Sequence, residues 1–393
     1  MKRMLWVGDA GCPTGFARAT HEILDVLRLH YQVSVLGINY RGDPHDYPYP
    51  MYAAAVAGDG MGLGRLIWMC DTVKPDVIVI QNDPWNIPAY LQVLQDFESY
   101  KNVPVVAAIA VDGKNIPARS LNGLALAIFW TQFALDEARA AGYSGPGCVI
   151  PLGVNRNVYF PDSKSDARLR RLGDHQFYQD AFIVGNVNRN QPRKRWDLTI
   201  KYFANWVKSN DLKDALLYLH VAPTGDLGVK VKQLMNYYGI LKHLLLVEPA
   251  VFYGVSEEEM RDTYNLLDVF INTGQGEGFG LTAIEAMACQ VPVVAGDWSG
   301  LGDWGKDAID LVPCTTTAIG PPYINVIGGV PDETQFIAEL DRLYRDKDYR
   351  QQWSDAGFKR SQEDRFTWSN IGQAYVENIG HVLTDTSQLA ETR

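Results

Sequence analysis

Short apolar segments that alternate with helix-length segments restrict this chain to one class of fold. Residues 75–80, 103–109 and 124–129 are mostly apolar, and amphipathic patterns lie between such runs. Strands that are apolar on both faces are typical of parallel sheets covered by helices on both sides. A second series of the same kind begins at residues 181–187. We therefore predict an α/β protein with two doubly wound, Rossmann-like domains in series.

The length of the chain and one charged segment predict where these domains divide. At 393 residues, the chain is too long for one ordinary hydrophobic core. Residues 155–178 contain proline and many charged residues and separate the two series of strands. The predicted domains are an N-terminal domain over residues 1–154 and a C-terminal domain over residues 155–365. Residues 366–393 are predicted to form a helix and tail that pack back toward the N-terminal domain, and residues 315–331 to form a surface loop.

Composition predicts a cytoplasmic protein without a membrane span. The hydrophobic fraction of 47% and the charged fraction of 21% are typical of soluble globular proteins. No apolar run approaches the roughly 20 residues that a membrane-spanning helix needs, and no targeting segment is visible before the first predicted strand. The five cysteines are scattered without a C-x-x-C pair, which favours reduced thiols over disulfides or a zinc site.

The most informative segment is residues 274–288, which read G-Q-G-E-G-F-G-L-T-A-I-E-A-M-A between two apolar runs. A glycine-rich turn between a strand and a helix directs backbone N–H groups and the positive end of the helix dipole at a phosphate. The segment also carries two carboxylates, Glu277 and Glu285, which phosphate binding alone does not need. An unpaired buried carboxylate is costly, so Glu285 in its apolar helix is expected to have a partner or a ligand. The pattern predicts a ligand that has both phosphate and hydroxyl groups.

Three further segments follow predicted strands, where doubly wound sheets bind ligands. Residues 189–195 (R-N-Q-P-R-K-R) provide a guanidinium and an ammonium that could reach one diphosphate, although a solvated basic turn has the same composition. Asp112 enters a glycine turn and is either a turn residue or a catalytic residue. Residues 11–15 contain glycine but lack G-x-G-x-x-G spacing, so they are either a plain turn or a ligand contact.

Together these segments resemble a known enzyme family. E-G-F-G-L-T-A-I-E-A-M-A, with seven residues between its glutamates, resembles the E-x7-E signature of retaining GT-B glycosyltransferases of family four. Residues 150–155 with 160–161 are similar to the interdomain link of that family. Residues 185–195 resemble its diphosphate clamp, and residues 291–295 resemble its P-V-V-A strand. The resemblance covers most of the second predicted domain, and the first domain only in general layout.

The resemblance implies a role for each matching residue. Arg189 and Lys194 would hold the donor diphosphate. Glu277 would bind hydroxyls of the transferred sugar, and Glu285 would bind the ribose of the nucleotide. The backbone of the turn would contact sugar or phosphate at Gly278, Phe279, Gly280 and Leu281. In the first predicted domain, Gly15 would correspond to a glycine near the donor.

One departure from the family pattern affects the acceptor side. Family members often carry a His-Asp pair near the reacting carbon, whereas residues 111–113 here read V-D-G. The histidine is missing, so Asp112 alone remains a candidate there. The predicted catalytic residues are Asp112, Glu277, Arg189 and Lys194.

The resemblance also implies a fold and a mechanism. The fold would be GT-B, in which two Rossmann-like domains face each other across a cleft. The enzyme would be a retaining hexosyl- or pentosyltransferase that uses a nucleotide sugar, and the leaving diphosphate would take the proton of the acceptor. Cations at the diphosphate lower the barrier to its departure, so neither a metal ion nor another cofactor is expected.

The acceptor is the least defined part of the prediction. The segments G-D-A-G-C-P-T-G-F-A-R, V-D-G and N-R-N-Q-P-R-K are more similar to phage-type members of the family than to cell-envelope members. A hydroxylated or hydroxymethylated pyrimidine in phage DNA is therefore one candidate acceptor, and the protein would then act in the host cytoplasm. The net charge of −10 opposes DNA binding. A small-molecule or polysaccharide acceptor, a GT-B-fold nucleotide-sugar epimerase and a non-catalytic nucleotide-sugar-binding protein remain alternatives.

Overall fold

The computed structural model describes residues 1–11, 14–221, 227–247, 254–320 and 324–391. It divides into two compact units. Unit 1 comprises Met1–Val111, Asn115–Gly153 and Arg365–Arg393, and unit 2 comprises Asp112–Lys114 and Val154–Asp364.

Unit 1 is built around a parallel sheet. Its strands are β1 (Lys2–Asp9), β2 (Tyr31–Ile38), β3 (Met51–Ala53), β4 (Val77–Asn82), β5 (Val105–Ile109), β6 (Leu126–Phe129) and β7 (Gly147–Val149). Their spatial order is β3-β2-β1-β4-β5-β6-β7. The central strand β1 pairs in parallel with β2 and β4. Every residue of β4 and β5 is buried, as expected for strands covered on both faces.

Unit 2 repeats this layout. Its strands are β8 (Phe182–Val187), β9 (Ala215–His220), β10 (Leu244–Val247), β11 (Val269–Asn272), β12 (Val293–Asp297), β13 (Asp310–Ile319) and β14 (Ile327–Pro331), in the order β10-β9-β8-β11-β12-β13-β14. The strands run parallel except β14, which pairs antiparallel with β13. The prediction of two doubly wound α/β domains is confirmed.

Helices connect the strands in both units. They are α1 (Gly15–Leu27), α2 (Leu63–Val73), α3 (Ile87–Gln95), α4 (Gln132–Ala140), α5 (Lys164–Leu172), α6 (Gln176–Asp180), α7 (Trp196–Ser209), α8 (Val231–Tyr237), α9 (Glu257–Asn265), α10 (Leu281–Ala288), α11 (Ser299–Trp304), α12 (Glu333–Arg345), α13 (Lys347–Ser361) and α14 (Trp368–Glu391). Helix α9 begins with a capping box between Ser256 and Glu259. The buried face of α7 brings Trp196, Phe203 and Trp206 into the core of unit 2.

Helix α14 is grouped with unit 1, where it packs on α1. Gly372 allows this approach, because a Cβ atom there would overlap the side chain of Val26. The hydroxyl of Tyr31 also donates to the carbonyl oxygen of Val376 at 3.4 Å. The helix continues to Glu391, beyond the end of the apolar pattern that predicted it.

Residues 112–114 are grouped with unit 2, although the sequence placed them in the N-terminal domain. The backbone of Lys114 pairs with Ile327 of β14, with N···O distances of 2.9 and 3.0 Å. Two glycines make this contact possible. A Cβ atom on Gly113 would overlap the backbone of Ile327, and one on Gly276 would overlap the carbonyl of Asp112.

The prediction of a surface loop at residues 315–331 is wrong for residues 315–319 and 327–331, which lie in strands. β13 continues to Ile319, and β14 returns beside it from Ile327. Threonine and isoleucine favour extended backbone even where their side chains are exposed. Residues 321–323 lie outside the described residues.

The predictions about cysteines and membrane spans can be compared with the structure only over the described residues. Cys70, Cys148, Cys289 and Cys314 are free thiols, and Cys12 lies outside the described residues. Among the residues that the structure covers, no helix combines the length and the apolar character that a membrane crossing requires.

Candidate functional site

The candidate site lies where β8 and β11, neighbours in the sheet of unit 2, end. The carboxyl ends of parallel strands are where doubly wound sheets bind ligands. A buried hydroxyl pair joins helix α7 to the loop that follows β11, because Thr199 Oγ1, on α7, lies 2.6 Å from Thr273 Oγ1. The backbone N–H of Gln275 donates to the carbonyl oxygen of Arg193 at 2.8 Å. The basic segment and the glycine turn therefore form one structure.

The glycine turn ends at the N-terminus of α10. Gly280 is the N-cap residue and has φ +98°, a left-handed conformation that favours glycine. Among the described side chains, none hydrogen-bonds to cap this helix. The backbone N–H groups of the first turn, which begins at Leu281, are thus the ones that an anionic ligand would meet.

Glu277 is the central side chain of the turn and is 6% exposed. Lys194 Nζ lies 2.6 Å from both carboxylate oxygens. Asn272 Nδ2 donates to Glu277 Oε1 at 3.0 Å, and Arg193 Nη1 lies 3.6 Å from Oε2. The predicted phosphate ligand Lys194 and the predicted sugar ligand Glu277 are therefore brought together as a buried ion pair.

Arg193 extends this contact to Asp112. Its Nε atom lies 3.3 Å from Asp112 Oδ2, and its Nη1 donates to the carbonyl oxygen of Gly276 at 3.1 Å. The four side chains Asp112, Arg193, Glu277 and Lys194 form a row of alternating charge, which we call the charge row. Sequence reasoning did not assign a role to Arg193, because nothing in the run R-K-R shows which of its cations point inward.

Arg189, the other predicted clamp residue, is placed differently. Arg189 is exposed and lies in the loop between β8 and the short 3-10 turn Pro192–Lys194. Its carbonyl oxygen accepts a hydrogen bond from Trp196 Nε1 at 2.9 Å. The backbone of the loop is therefore fixed, whereas none of the ion pairs that form the charge row involves Arg189.

Burial and neighbouring charges shift the pKa values of Glu277 and Lys194, the two buried partners of the charge row. Burial raises the pKa of Glu277, but the positive charges of Lys194 and Arg193 outweigh that effect and hold this pKa below its usual value. Burial lowers the pKa of Lys194 to about 8, with the negative charge of Glu277 opposing the shift. Glu277 is therefore ionised at neutral pH, and Lys194 loses its proton at a lower pH than an ordinary lysine.

Glu285, the second glutamate of the pattern, is 2% exposed in α10. The hydroxyl of Tyr264, on α9, donates to Glu285 Oε2 at 2.7 Å. The expected partner is thus a tyrosine. A carboxylate has four acceptor positions, and the Tyr264 hydroxyl occupies one of them.

The rest of the turn is anchored by α11. The indole N–H of Trp304 donates to the carbonyl oxygen of Phe279 at 2.7 Å, and the two rings stack with centroids 5.0 Å apart. Glu277 N donates to Ser299 Oγ at 2.9 Å, and Gly300 N donates to the carbonyl oxygen of Glu277 at 3.0 Å. The contacts of Phe279 and Glu277 with α11 therefore hold the shape of the turn, and the ring of Phe279 is buried.

Gly15, the predicted donor contact of the first domain, is the first residue of α1 in unit 1. It follows Thr14, whose side chain accepts from Ala17 N at 3.1 Å and donates to Asp9 Oδ2 at 2.6 Å. The loop before it includes Cys12 and Pro13, which lie outside the described residues. The role of Gly15 stays a prediction.

A metal site was not expected from the sequence. Within the described ranges, no group of three or more His, Cys, Asp or Glu side chains is arranged to hold a metal ion. Arg193 and Lys194 place positive charge at the carboxyl edge of unit 2.

Sequence comparison identifies the family that this site resembles. Residues 170–360, nearly all of unit 2, match the model of the glycosyl transferases group 1 family. The D-inositol 3-phosphate glycosyltransferase of Stackebrandtia nassauensis is 29% identical over 240 residues, which are 60% of this chain and 48% of that protein. The mannosylfructose-phosphate synthase of Agrobacterium fabrum is 30% identical over 176 residues, or 44% of this chain and 38% of that protein. The chain spans about half the length, or less, of these curated relatives.

Structural comparison covers nearly the whole chain. Sucrose-phosphate synthase from Thermosynechococcus elongatus matches 98% of this chain and 100% of its own, with a TM-score of 0.78 and 16% identity. The Anabaena protein HepE in complex with UDP-glucose matches 97% of this chain and 100% of its own, with a TM-score of 0.72 and 17% identity. The fold is therefore GT-B, and residues 170–360 are similar to the glycosyl transferases group 1 family.

Proposed function

We propose that this protein is a retaining glycosyltransferase that moves a hexosyl or pentosyl group from a nucleotide-diphosphate sugar to an acceptor hydroxyl. The observation that carries the proposal is the buried contact of Lys194 with Glu277 beside the N-terminus of α10. A cation, a helix N-terminus and a carboxylate at one position suit a ligand that joins a diphosphate to a hydroxyl-rich ring. The contact lies within the residues that match the glycosyl transferases group 1 model.

Donor binding uses hydrogen-bonding capacity that the charge row leaves available. An ammonium group has three donors, and Lys194 directs two short contacts to the Glu277 carboxylate. Its third donor binds a phosphate oxygen of the donor, and Arg189 reaches the same diphosphate from the loop. The carboxylate of Glu277 accepts from hydroxyls of the sugar, while Glu285 accepts from hydroxyls of the ribose.

Catalysis follows from the charge that develops on the leaving group. As the glycosidic bond breaks, the diphosphate gains negative charge, which Lys194, Arg189 and the backbone N–H groups of α10 stabilise. The leaving phosphate takes the proton of the acceptor hydroxyl as the new glycosidic bond forms on the same face of the sugar. Glu277 is held by cations, which makes it a poor nucleophile, and a covalent intermediate on a carboxylate is not needed.

Asp112 and Arg193 act as positioning residues in this scheme. The ion pair between them, 3.3 Å long, holds Arg193 next to the turn. Arg193 in turn contacts Glu277 and the carbonyl oxygen of Gly276. Because these side chains supply the compensating charge, we propose that transfer does not require a divalent metal ion, and a chelator should leave the rate unchanged.

For the acceptor, we propose a small molecule. The relatives described above are named for inositol phosphate and for a phosphorylated sugar product. The modified pyrimidine predicted as one acceptor has no counterpart among these relatives, and the net charge of −10 opposes binding to DNA.

The test is turnover of UDP-, GDP- and ADP-sugars with panels of small hydroxylated acceptors and of hydroxymethylated DNA. We expect release of nucleoside diphosphate that depends on a small acceptor, with a product of the same anomeric configuration as the donor. Interconversion of the donor sugar would instead indicate an epimerase. Binding without turnover across the panels would contradict an enzymatic role.

A further inference from the structure

An aromatic stack lies in unit 1, outside the residues that the donor site uses. The ring of Tyr47 is parallel to the imidazole of His21, with centroids 3.6 Å apart and planes 5° apart. Tyr49 is stacked next to Tyr47 at 5.9 Å, and His45 lies at the same distance from Tyr47. We call these four side chains the aromatic stack. It joins helix α1 to the proline-rich segment 40–50.

Hydrogen bonds fix the central imidazole of the stack. His21 Nε2 is 3.1 Å from the carbonyl oxygen of Ala10, which can only accept, so Nε2 carries the proton. His21 Nδ1 therefore accepts from the Tyr49 hydroxyl at 2.7 Å. Burial lowers the pKa of His21 to about 4, and the imidazole is neutral at pH 7. The stack thus presents a rigid, uncharged aromatic base beneath Tyr47.

The aromatic stack lies beyond the carboxyl ends of β1 and β2, the edge at which doubly wound sheets bind ligands. Residues 40–50 follow the carboxyl end of β2, and His21 bonds to the segment that follows the carboxyl end of β1. The loops after these strands are in close contact, since a Cβ atom on Gly11 would overlap the backbone of Asn39 and Tyr40. The Tyr40 hydroxyl closes the start of the segment by donating to the carbonyl oxygen of Asp43 at 2.6 Å.

Exposure and charge define what this surface can bind. Tyr47 is 43% exposed, whereas Tyr49 is 6% exposed, so Tyr47 is the ring that a ligand can reach. Segment 40–50 has one positive charge, Arg41, and two negative charges, Asp43 and Asp46, which gives a net charge of −1. Asp43 and Asp46 are both exposed. A flat ring in a segment with two exposed carboxylates suits a ligand with an apolar ring face and hydroxyl donors, and it disfavours a polyanion.

We propose that the aromatic stack is the acceptor-binding surface, and that it takes a neutral hydroxylated ring, such as a pyranose or a cyclitol, on the exposed face of Tyr47. The C–H face of the ring packs on the tyrosine, and its hydroxyls donate to the carboxylates of Asp43 and Asp46. This assignment rests on the proposed function, because a transferase needs an acceptor. It also narrows the acceptor to a neutral hydroxylated ring, a property that the donor site does not define.

The test is saturation-transfer-difference NMR on the full-length protein without a donor. The probes are methyl α-D-glucopyranoside, methyl α-D-mannopyranoside, myo-inositol, thymidine and 5-hydroxymethyl-deoxycytidine. We expect signals on the ring protons of at least one of the first three probes. Those signals should be lost in Tyr47→Ala and retained in Tyr47→Phe, because the aromatic face is what the ligand needs. Tyr237→Ala is the matched control, since Tyr237 is an exposed tyrosine of unit 2, and it should leave the signals unchanged.

Three outcomes would overturn the proposal. They are the absence of signals from all three polyol probes, signals that persist in Tyr47→Ala, and preferential binding of the two nucleosides at Tyr47. Thermal shift with UDP, GDP and ADP reports separately on unit 2 and should be the same for wild type and Tyr47→Ala. If no nucleotide binds but the polyols do, the proposed function fails while the binding surface stands. If nucleotides bind and polyols do not, only the acceptor assignment fails.

Discussion

The two units contain proposed sites of different kinds, and only one of them could be recognised from the sequence. In unit 2, the charge row joins Lys194 to Glu277 at 2.6 Å within a segment that has a fixed spacing of glycine and glutamate. In unit 1, the aromatic stack joins His21 to Tyr47, which are 26 positions apart and belong to no spacing pattern. A diphosphate imposes the same geometry wherever it binds, so it leaves a motif. A neutral ring can be held by any suitably placed aromatic side chain, so it leaves none.

Among the substitutions that test this comparison, the largest effect on the rate of transfer is expected at Lys194. Lys194→Met should lower the rate of transfer by about two to three orders of magnitude, the usual loss when one donor to developing charge is removed. Steady-state release of nucleoside diphosphate measures it. Lys201→Met is the matched control, because Lys201 forms an ion pair with Glu333, and should change the rate less than twofold by this reasoning. A rate for Lys194→Met within the range of the control would contradict the clamp.

Loss of Lys194 also leaves Glu277 buried with less compensation, so stability must be followed. Removing one partner of a buried pair costs about 3–5 kcal/mol, and the melting temperature should fall. The double variant Lys194→Met with Glu277→Gln should recover much of that loss while remaining inactive. Recovery of stability without recovery of activity separates a role in binding from a role in folding.

A smaller effect is expected at Glu285. Glu285→Gln should weaken binding of the nucleoside diphosphate by about 10- to 100-fold, since it removes a charged acceptor worth about 1.5–3 kcal/mol. Isothermal titration measures this affinity. Binding of polyols to the aromatic stack should be unaffected in the same variant. A change of acceptor preference with intact nucleotide affinity would contradict the assignment to ribose.

Arg193 should have an effect mainly on the rate. Arg193→Ala breaks the contacts with Asp112 and Glu277, and we expect kcat to fall about tenfold, the equivalent of one hydrogen bond to a charged group, with little change in donor KM. Arg189→Ala should instead raise donor KM as well as lower kcat, because the proposed role of Arg189 is to bind the diphosphate both before and during its departure. If kcat and donor KM changed in the same way in both variants, the separate roles of Arg193 in positioning and Arg189 in donor binding would be contradicted.

The smallest expected effect is a change of donor affinity with pH. The charged form of Lys194 binds phosphate, and its pKa in the free protein is about 8. Affinity for the nucleoside diphosphate should therefore be constant below that pH and fall about tenfold per pH unit above it. In Lys194→Arg, the affinity should stay flat to higher pH, because a guanidinium remains protonated. A flat profile in wild type would place the titrating group elsewhere.

The sequence predicted the backbone of the donor site better than its side-chain contacts. The strand, glycine turn and helix start at 274–288 follow from local rules, and Gly280 does adopt the left-handed conformation. The direction of each cation in R-K-R depends on the 3-10 turn at Pro192–Lys194, after which Arg195 pairs with Asp197 instead. Local spacing does not specify that turn, which is why Arg193 was missed.

Tertiary contacts account for the other differences. Residues 112–114 were assigned to the N-terminal domain because they follow β5, but pairing with Ile327 places them in unit 2. Nothing in the order of strands predicts a contact between residues so far apart in the chain. The aromatic stack likewise depends on α1 and segment 40–50 folding against each other, which no local pattern in the sequence predicts.

The most direct test of the account is a crystal structure with UDP, GDP or ADP, whichever raises the melting temperature most. The diphosphate should lie at the N-terminus of α10 with a phosphate oxygen in hydrogen-bonding distance of Lys194 Nζ. The ribose hydroxyls should lie at Glu285. A nucleotide bound in unit 1, or in unit 2 without contact to either residue, would contradict the assignment of the donor site.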